Sequence, residues 1–314
     1  MLPVAVDAVL RAHREQSFAF DYQKDCYALS LLAHVIGGGR PISVLRRGSF
    51  SRLLEKPIVK RALARAKHGM LTPSCLEFAL PEKRERFRVT LGRWGGRTRS
   101  EWGDSYYQTS RPGESLVLQL NFPESHDRAY RKLVRPDGYH PFVTTSHPTR
   151  ASEPFTLAWA RLDVDAKAAE VLIEEIQCDW VKRAEEYREH GDEWLAEGNS
   201  ADLCFEDCAA TAPAVLRYIE RVLEPYARLW EECVLALAVE FSYSALGARR
   251  VFFHTYEGGR IMKRMRYATQ PPRSLYTRLP ERFCFTRTRV PPRMFEGQRR
   301  LREHEIEWFS LNLV

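Results

Sequence analysis

Several signatures that would name a function outright are missing from this chain. No run approaches the roughly 20 apolar residues of a membrane span, and Met1-Leu2-Pro3-Val4 lacks the basic start and long apolar core of a secretory leader. A cytoplasmic protein without a membrane partner is the expectation. The seven cysteines are odd in number and contain no CxxC pair. Cys204 and Cys208 are the one close pair, with no second pair or nearby histidine to complete a zinc site, so buried free thiols are expected. Gly37-Gly38-Gly39 is not followed by Lys-Ser/Thr, which makes it a helix stop rather than a phosphate loop. No internal repeat and no low-complexity tract is present.

What remains is a chain of 314 residues, 44% hydrophobic and 28% charged, the composition of a globular protein with one large core or two modest ones. The net charge of +7 permits a nucleic acid or another polyanion as partner. Residues 1–72 read as a helical, basic N-terminal region. Its Ser43–His68 stretch is dense in Arg46, Arg47, Arg52, Lys56, Lys60, Arg61, Arg65 and Lys67, with Pro57 dividing two helices. From about residue 73 the apolar period changes to two. Phe87–Leu91, Ser115–Phe122 and Phe155–Val164 read as strands, Trp94-Gly95-Gly96 as a loop and 127–148 as a polar loop. A helix follows over Val181–His190, then a polar insertion over 191–213, then helix from Ala214 to Leu246 with a break at Pro225. Arg250–Tyr256 reads as a strand, Gly258-Gly259 as a turn, Arg260–Tyr267 as a short basic helix and Leu275–Thr288 as extended chain. A tail over 291–314 carries a last strand from Glu305, read as an edge or partner-pairing one. The class that results is α+β: a mostly antiparallel mixed sheet flanked by helices.

The stretch that organises the rest is Val171-Leu172-Ile173-Glu174-Glu175-Ile176-Gln177-Cys178-Asp179-Trp180. Val, Leu and Ile make it a strand, hairpin partner of 155–164 through a turn at Asp165-Ala166-Lys167. Strict alternation puts Glu175, Gln177 and Asp179 on one face and Leu172, Glu174, Ile176 and Cys178 on the other. A carboxylate–amide–carboxylate row on a core-like strand is costly unless it is hydrogen-bonded or used.

From about Trp102 to Phe285 the ordered motifs resemble an uncharacterised domain of phage and mobile-element polyvalent proteins, whose hallmark is close to E-I-Q-S-D-W. Here the hallmark stands as Glu175-Ile176-Gln177-Cys178-Asp179-Trp180, with Cys178 in the serine position. Tyr107-Gln108, Pro112-Gly113-Glu114, Ser146-His147, Ala160-Arg161, Pro225 with Trp230 and Glu232, Gly247–Thr255, and Tyr276 with Leu279-Pro280 follow in the family's order. Ala236 lies near a usual lysine and Tyr256 near a usual threonine. The resemblance supplies a map of a site and no reaction. The order strand, hairpin, long helix, strand also resembles an acetyltransferase-like (GNAT) layout. There the helix after the central strand opens with a glycine turn for coenzyme A, whereas Trp180-Val181-Lys182-Arg183 has none, so acetyl-coenzyme A is not expected.

The expected site residues follow. Glu175 is a general base, its pKa raised by burial and by Asp179, or else a carboxylate bonded to Arg161. Gln177 and Asp179 orient, unless Asp179 caps the next helix. Glu175 and Asp179 together are the candidate pair for Mg²⁺. His147 is an acid, a base or a substrate ligand. Arg161, His254, Thr255, Lys263, Arg264 and Tyr276 face substrate, with Lys263, Arg264 and Arg266 as a basic grip on phosphate. Cys178 is set aside as a nucleophile. The expected function is acid–base group transfer on a phosphate-bearing or nucleotide substrate. The alternative is a non-catalytic module that binds nucleic acid or a host protein through 43–68 and 260–266.

Overall fold

The computed structural model describes residues 3–12, 17–95, 109–197, 208–265 and 271–313. Gly96, Trp102, Tyr107-Gln108, Cys204, Arg266 and Tyr267 lie outside them. The ten strands described are β1 (Ser17–Tyr22), β2 (Arg40–Pro41), β3 (Met70–Leu71), β4 (Glu85–Gly95), β5 (Glu114–Asn121), β6 (Thr156–Asp165), β7 (Glu170–Gln177), β8 (Arg250–His254), β9 (Thr286–Thr288) and β10 (Trp308–Asn312). Eight of them form one mixed sheet in the order β1-β4-β5-β6-β7-β8-β10-β9; β2 and β3 pair separately. Every contact in the large sheet is antiparallel except β7 with β8. The expected α+β class with a mostly antiparallel mixed sheet is thus the observed one.

Helices cover both faces unequally. The described ones begin with α1 (Pro3–Ala12), α2 (Cys26–Ile36), α3 (Ile42–Leu45), α4 (Pro57–Leu63), α5 (Pro73–Ala79), α6 (Glu124–Leu133) and α7 (Asp179–Ala196). They continue with α8 (Ala212–Tyr218), α9 (Glu224–Ala227), α10 (Trp230–Ser244), α11 (Tyr256–Lys263), α12 (Arg278–Arg282) and α13 (Arg299–Glu303). α10 is apolar around most of its circumference and lies against β6 and β7 as the central core helix. Leu116, Leu118 and Leu120 of β5, Ala158, Ala160 and Leu162 of β6, and Phe253 of β8 point into this main core, which runs from Val6 to Leu313. A smaller cluster of Leu172, Phe252, Met262, Phe295, Ile306 and Trp308 seals the other face under α11 and the C-terminal segment.

Several local expectations are corrected. Residues 17–22 are an edge strand against β4, so the N-terminal region is not wholly helical. Trp94 and Gly95 continue β4 instead of looping. The 127–148 loop opens with α6, whose buried face is His126, Asp127 and Tyr130. A helix that buries polar side chains leaves no apolar period to read. α7 runs on through Gly191 to Ala196. Residues 275–288 hold a helical turn, α12 and β9; Pro280 falls in the first turn of α12, where a proline has little hydrogen bonding to lose. β10 is no edge, since it sits between β8 and β9 with Trp308, Phe309 and Leu311 buried on its two faces.

Gly258 and Gly259 are not a turn but lie inside α11. Thr255 caps this helix: its Oγ1 accepts the Gly258 N–H at 3.0 Å and donates to the Glu307 carbonyl at 2.8 Å. A Cβ on Gly258 would lie 2.6 Å from that carbonyl oxygen, so only glycine lets α11 dock on the segment that leads into β10. Gly258→Ala should therefore cost about 1–3 kcal/mol, the range for overpacking, read as a lower denaturation midpoint at unchanged slope. An unchanged midpoint would show that the helix shifts freely.

Candidate functional site

The site is built on a fault in β7. β6 pairs Arg161 with Glu175 and Leu162 with Ile173, so Glu174 is an extra residue, a β-bulge. Strict alternation would put residues 173 and 176 on opposite faces, yet Ile173 and Ile176 both enter the main core. The bulge absorbs the difference and turns Glu174 and Glu175 together towards the other face. The expected separation of Glu174 from Glu175 is overturned for this reason. Beyond Ile173 and Phe253 the parallel pairing of β7 with β8 stops, and β7 runs on to Gln177.

Two polar networks fill the space. The inner one is sealed. Glu174 is fully buried and accepts the Ser110 amide at 2.7 Å and the Ser110 hydroxyl at 2.8 Å. His254, also fully buried, brings Nε2 to 2.9 Å from Ser110 Oγ and 3.2 Å from Glu174 Oε2. Its Nδ1 is buried with no hydrogen-bond partner. Burial pushes the His254 pKa down, so the ring is neutral with its proton on Nε2. Glu175 is bonded by Arg161 and lies 3.6 Å from Lys263 Nζ. Burial alone would raise both glutamate pKa values; Lys263, with His254 at Glu174 and Arg161 at Glu175, reverses that and holds them low. The expected raised pKa of Glu175 is thus corrected, and its salt bridge to Arg161 is present. Lys263 is buried against acids rather than offered to phosphate. The Tyr276 hydroxyl is buried beside this cluster, its pKa pushed well up by burial and by Glu175. A cavity of about 10 Å³, room for about one water, lies between Glu175, Tyr256, Lys263 and Tyr276.

The outer network reaches solvent. His147 Nδ1 is 2.7 Å from Asp179 Oδ1, Trp159 Nε1 donates to Asp179 Oδ2 at 2.9 Å, and the Gln177 amide donates to Asp179 Oδ1. A carboxylate oxygen only accepts, so Nδ1 carries the His147 proton and the lone pair sits on Nε2. The Gln177 amide nitrogen, 3.0 Å from Nδ1, is then a neighbour and not a donor to it. The His147 side chain is 35% exposed while that of Asp179 is 5% exposed. Trp94 and Trp159 meet the imidazole edge to face, with centroids at 6.5 and 5.8 Å. Arg161 lies 5.9 Å from the centres of both indoles and so links the two networks.

Each residue of the stretch Glu175–Trp180 now has a physical task. Glu175 neutralises Arg161 and Lys263; Ile176 packs in the core; Gln177 and Asp179 set His147. Cys178 takes the capping role considered for Asp179, since its Sγ accepts the Val181 N–H at 3.4 Å. Its thiol is buried and pushed well up in pKa, which makes it inert. Trp180 donates to Tyr218 Oη at 2.7 Å inside an aromatic cluster with Phe122, Tyr130 and Phe142. Glu232 braces the N-terminal region by accepting from Tyr22 Oη at 2.8 Å and from Arg282.

Other expected residues are placed differently. The Thr255 hydroxyl is spent in its cap. Arg264 ends α11 in the left-handed region with φ 54° and lies outside both networks. Glu175 and Asp179 belong to separate networks and are both occupied by protein donors, so the expected Mg²⁺ pair is not assembled; among the described residues no group of three or more His, Cys, Asp or Glu is arranged to hold a metal. Ser110, Trp94, Trp159 and Glu174 were outside the expected site. Glu174 was visible as a second acid in an apolar strand; the other three carried no signal. The six described cysteines are free and buried, as expected, and no helix among the described residues is long and apolar enough to cross a membrane. Comparison with protein-family models, curated proteins and solved structures finds no match to this chain.

Two outcomes follow from the inner network. Glu175→Gln leaves two buried cations facing one acid and should cost about 3–5 kcal/mol, the range for breaking a buried ion pair; a loss under about 1 kcal/mol, within what exposed pairs contribute, would contradict the pairing. Acid should also destabilise the fold in two stages. His254 and His126 have folded pKa values pressed below 6.5 by burial, so their share of stability is complete above that value and fades below it. Glu174 and Glu175 are depressed from 4.5, so their share is complete above that value and is lost as pH falls through the folded values. Tm should already decline between pH 7 and pH 5, before the carboxylates titrate. A flat Tm over that range would show that the buried imidazoles are not held neutral.

Proposed function

We propose that this chain is an enzyme of the acid–base group-transfer class, with His147 as general base, Asp179 as the group that orients it and Gln177 beside it for substrate. The observation that carries this reading is the 2.7 Å contact of His147 Nδ1 with a buried Asp179 whose other oxygen is held by Trp159. A fixed Nδ1–H leaves Nε2 to take a proton from a hydroxyl, an amine or water, and Asp179 stabilises the imidazolium that results. Glu175, the base expected from the strand pattern, is assigned instead to positioning, because two cations hold it as a weak base. Arg161 supports the indoles that flank His147. No hydrogen bond to Nε2 is made among the described residues, which suits a group that meets a substrate.

A phosphate-bearing or nucleotide substrate is the class to screen first. The free cysteines fit a reducing, cytoplasmic setting. Membership of the phage and mobile-element domain family rests on the ordered motifs around Glu175–Trp180. The order β5, β6–β7 hairpin, α7, β8 with a parallel β7–β8 pair supports an acetyltransferase-like layout. The absence of a glycine turn after Asp179 argues against coenzyme A as the carrier.

Two measurements test the proposal. Nitrogen chemical shifts of the His147 ring should report the Nδ1–H tautomer at neutral pH; an Nε2–H tautomer would remove the base. In a turnover screen over nucleotides and phosphate esters, His147→Ala should lose about 10²–10⁴ of any activity found, the usual worth of a positioned acid or base, with Tm nearly unchanged. Asp179→Asn should lose part of it. Full turnover by His147→Ala would overturn the assignment.

A further inference from the structure

The positive charge of this protein is not spread over its surface. Between residues 40 and 80 stand Arg40, Arg46, Arg47, Arg52, Lys56, Lys60, Arg61, Arg65 and Lys67, opposed by Glu55 and Glu77 alone. That segment has a net charge of +7, which equals the net charge of the whole chain, so the other 273 residues are balanced. The segment is also rigid in its make-up. Leu45, Leu53, Leu54, Ile58, Val59, Ala62, Leu71, Cys75, Leu76 and Ala79 are buried in the main core, while all of the cations named except Lys56 are exposed. Packing therefore fixes α3, α4 and α5, and the cations of α4 and of the segments that join these helices are left outward. Arg46, Arg61 and Lys67 have no acidic partner within salt-bridge range among the described residues; Lys60 has Glu55 at 3.0 Å and Lys56 has Asp25 at 2.7 Å.

A second, independent feature lies in the same segment. Phe78 on α5 is 53% exposed, one of few large apolar side chains so placed. The Arg65 guanidinium lies 4.2 Å from its ring centre. Leu80, two residues on, and Val44 on α3 are also exposed. An uncovered aromatic ring with a cation over one side, set among unpaired arginines, has the chemistry that holds a nucleobase by stacking and its phosphates by charge. A duplex hides its base faces and offers such a ring nothing. An anionic lipid surface prefers a larger apolar stripe than Phe78, Leu80 and Val44 provide.

We propose that residues 40–80 form a binding surface for single-stranded nucleic acid, in which Phe78 stacks on a base and Arg46, Arg47, Arg61, Arg65 and Lys67 contact consecutive phosphates. The surface is separate from the His147 network, so either assignment can fail without the other. The test is fluorescence anisotropy of the full chain with labelled dT20, with a 20-base-pair duplex and with vesicles containing phosphatidylserine as competitors. Five phosphate contacts give a slope of log K on log salt of about −3.5, at about 0.7 per contact for a single strand. Arg46→Glu/Arg47→Glu/Arg61→Glu should weaken binding at least thirtyfold and flatten that slope. Phe78→Ala should weaken it roughly five- to a hundredfold, the worth of about one stacked base, and leave the slope in place. His147→Ala should bind as the native chain does. All of these positions other than His147 are exposed, and circular dichroism with Tm verifies each fold. Absence of binding at 50 mM salt, binding that survives the triple reversal, or equal preference for duplex or vesicles would each overturn the proposal.

Discussion

One extra residue in β7 governs the rest of this structure. The bulge at Glu174 brings two glutamates to one face, where a regular strand would bury one of them in the apolar core. Two carboxylates so close need cations, and Arg161 from β6 and Lys263 from α11 supply them. Glu174 draws in Ser110 and His254 as donors, which ties the chain near residue 110 to β8. The same irregularity coincides with the end of β7–β8 pairing, so the last turn of β7 projects Gln177 towards a more open region. A local backbone defect thus determines which side chains meet.

The resulting site has a dry half and a wet half, and the division is electrostatic. In the dry half every charge is matched, and the matching makes the cluster a brace rather than a reagent. In the wet half Asp179 is saturated by three donors, and one of them, His147, reaches solvent. An imidazole set in this way has one nitrogen committed and one available. The indoles of Trp94 and Trp159 keep the ring from turning away.

Much of this could be read from residue order. A strand here, its hairpin with β6, the pairing of Arg161 with Glu175 and a following helix all follow from alternation, turn chemistry and charge, but the strand read over Val171–Trp180 ends at Gln177, and Asp179 and Trp180 open α7 instead. Gln177 and Asp179 were legible as polar members of this stretch, whereas the contact of His147 with Asp179 joins a loop to a helix start 32 residues away and left no pattern. The misses share a cause. α6 buries His126 and Asp127, α11 contains two glycines packed against a carbonyl and an imidazole, and β1 is a six-residue edge strand in a helical neighbourhood. In each, a tertiary contact overrides the local pattern.

Sequence by itself determined the fold class, because apolar periods of two and of about 3.6 residues leave few other layers to build. It also determined that the strand carrying Glu175-Ile176-Gln177 had to satisfy or use a row of polar groups. Tertiary structure decided which of them are spent. Register fixes the bulge, the bulge fixes the face, and only the assembled sheet shows that Lys263 lies beside Glu175 while Asp179 holds His147. Partners distant in the chain leave no periodicity behind, since a salt bridge is defined by a distance in space and not by a spacing in sequence.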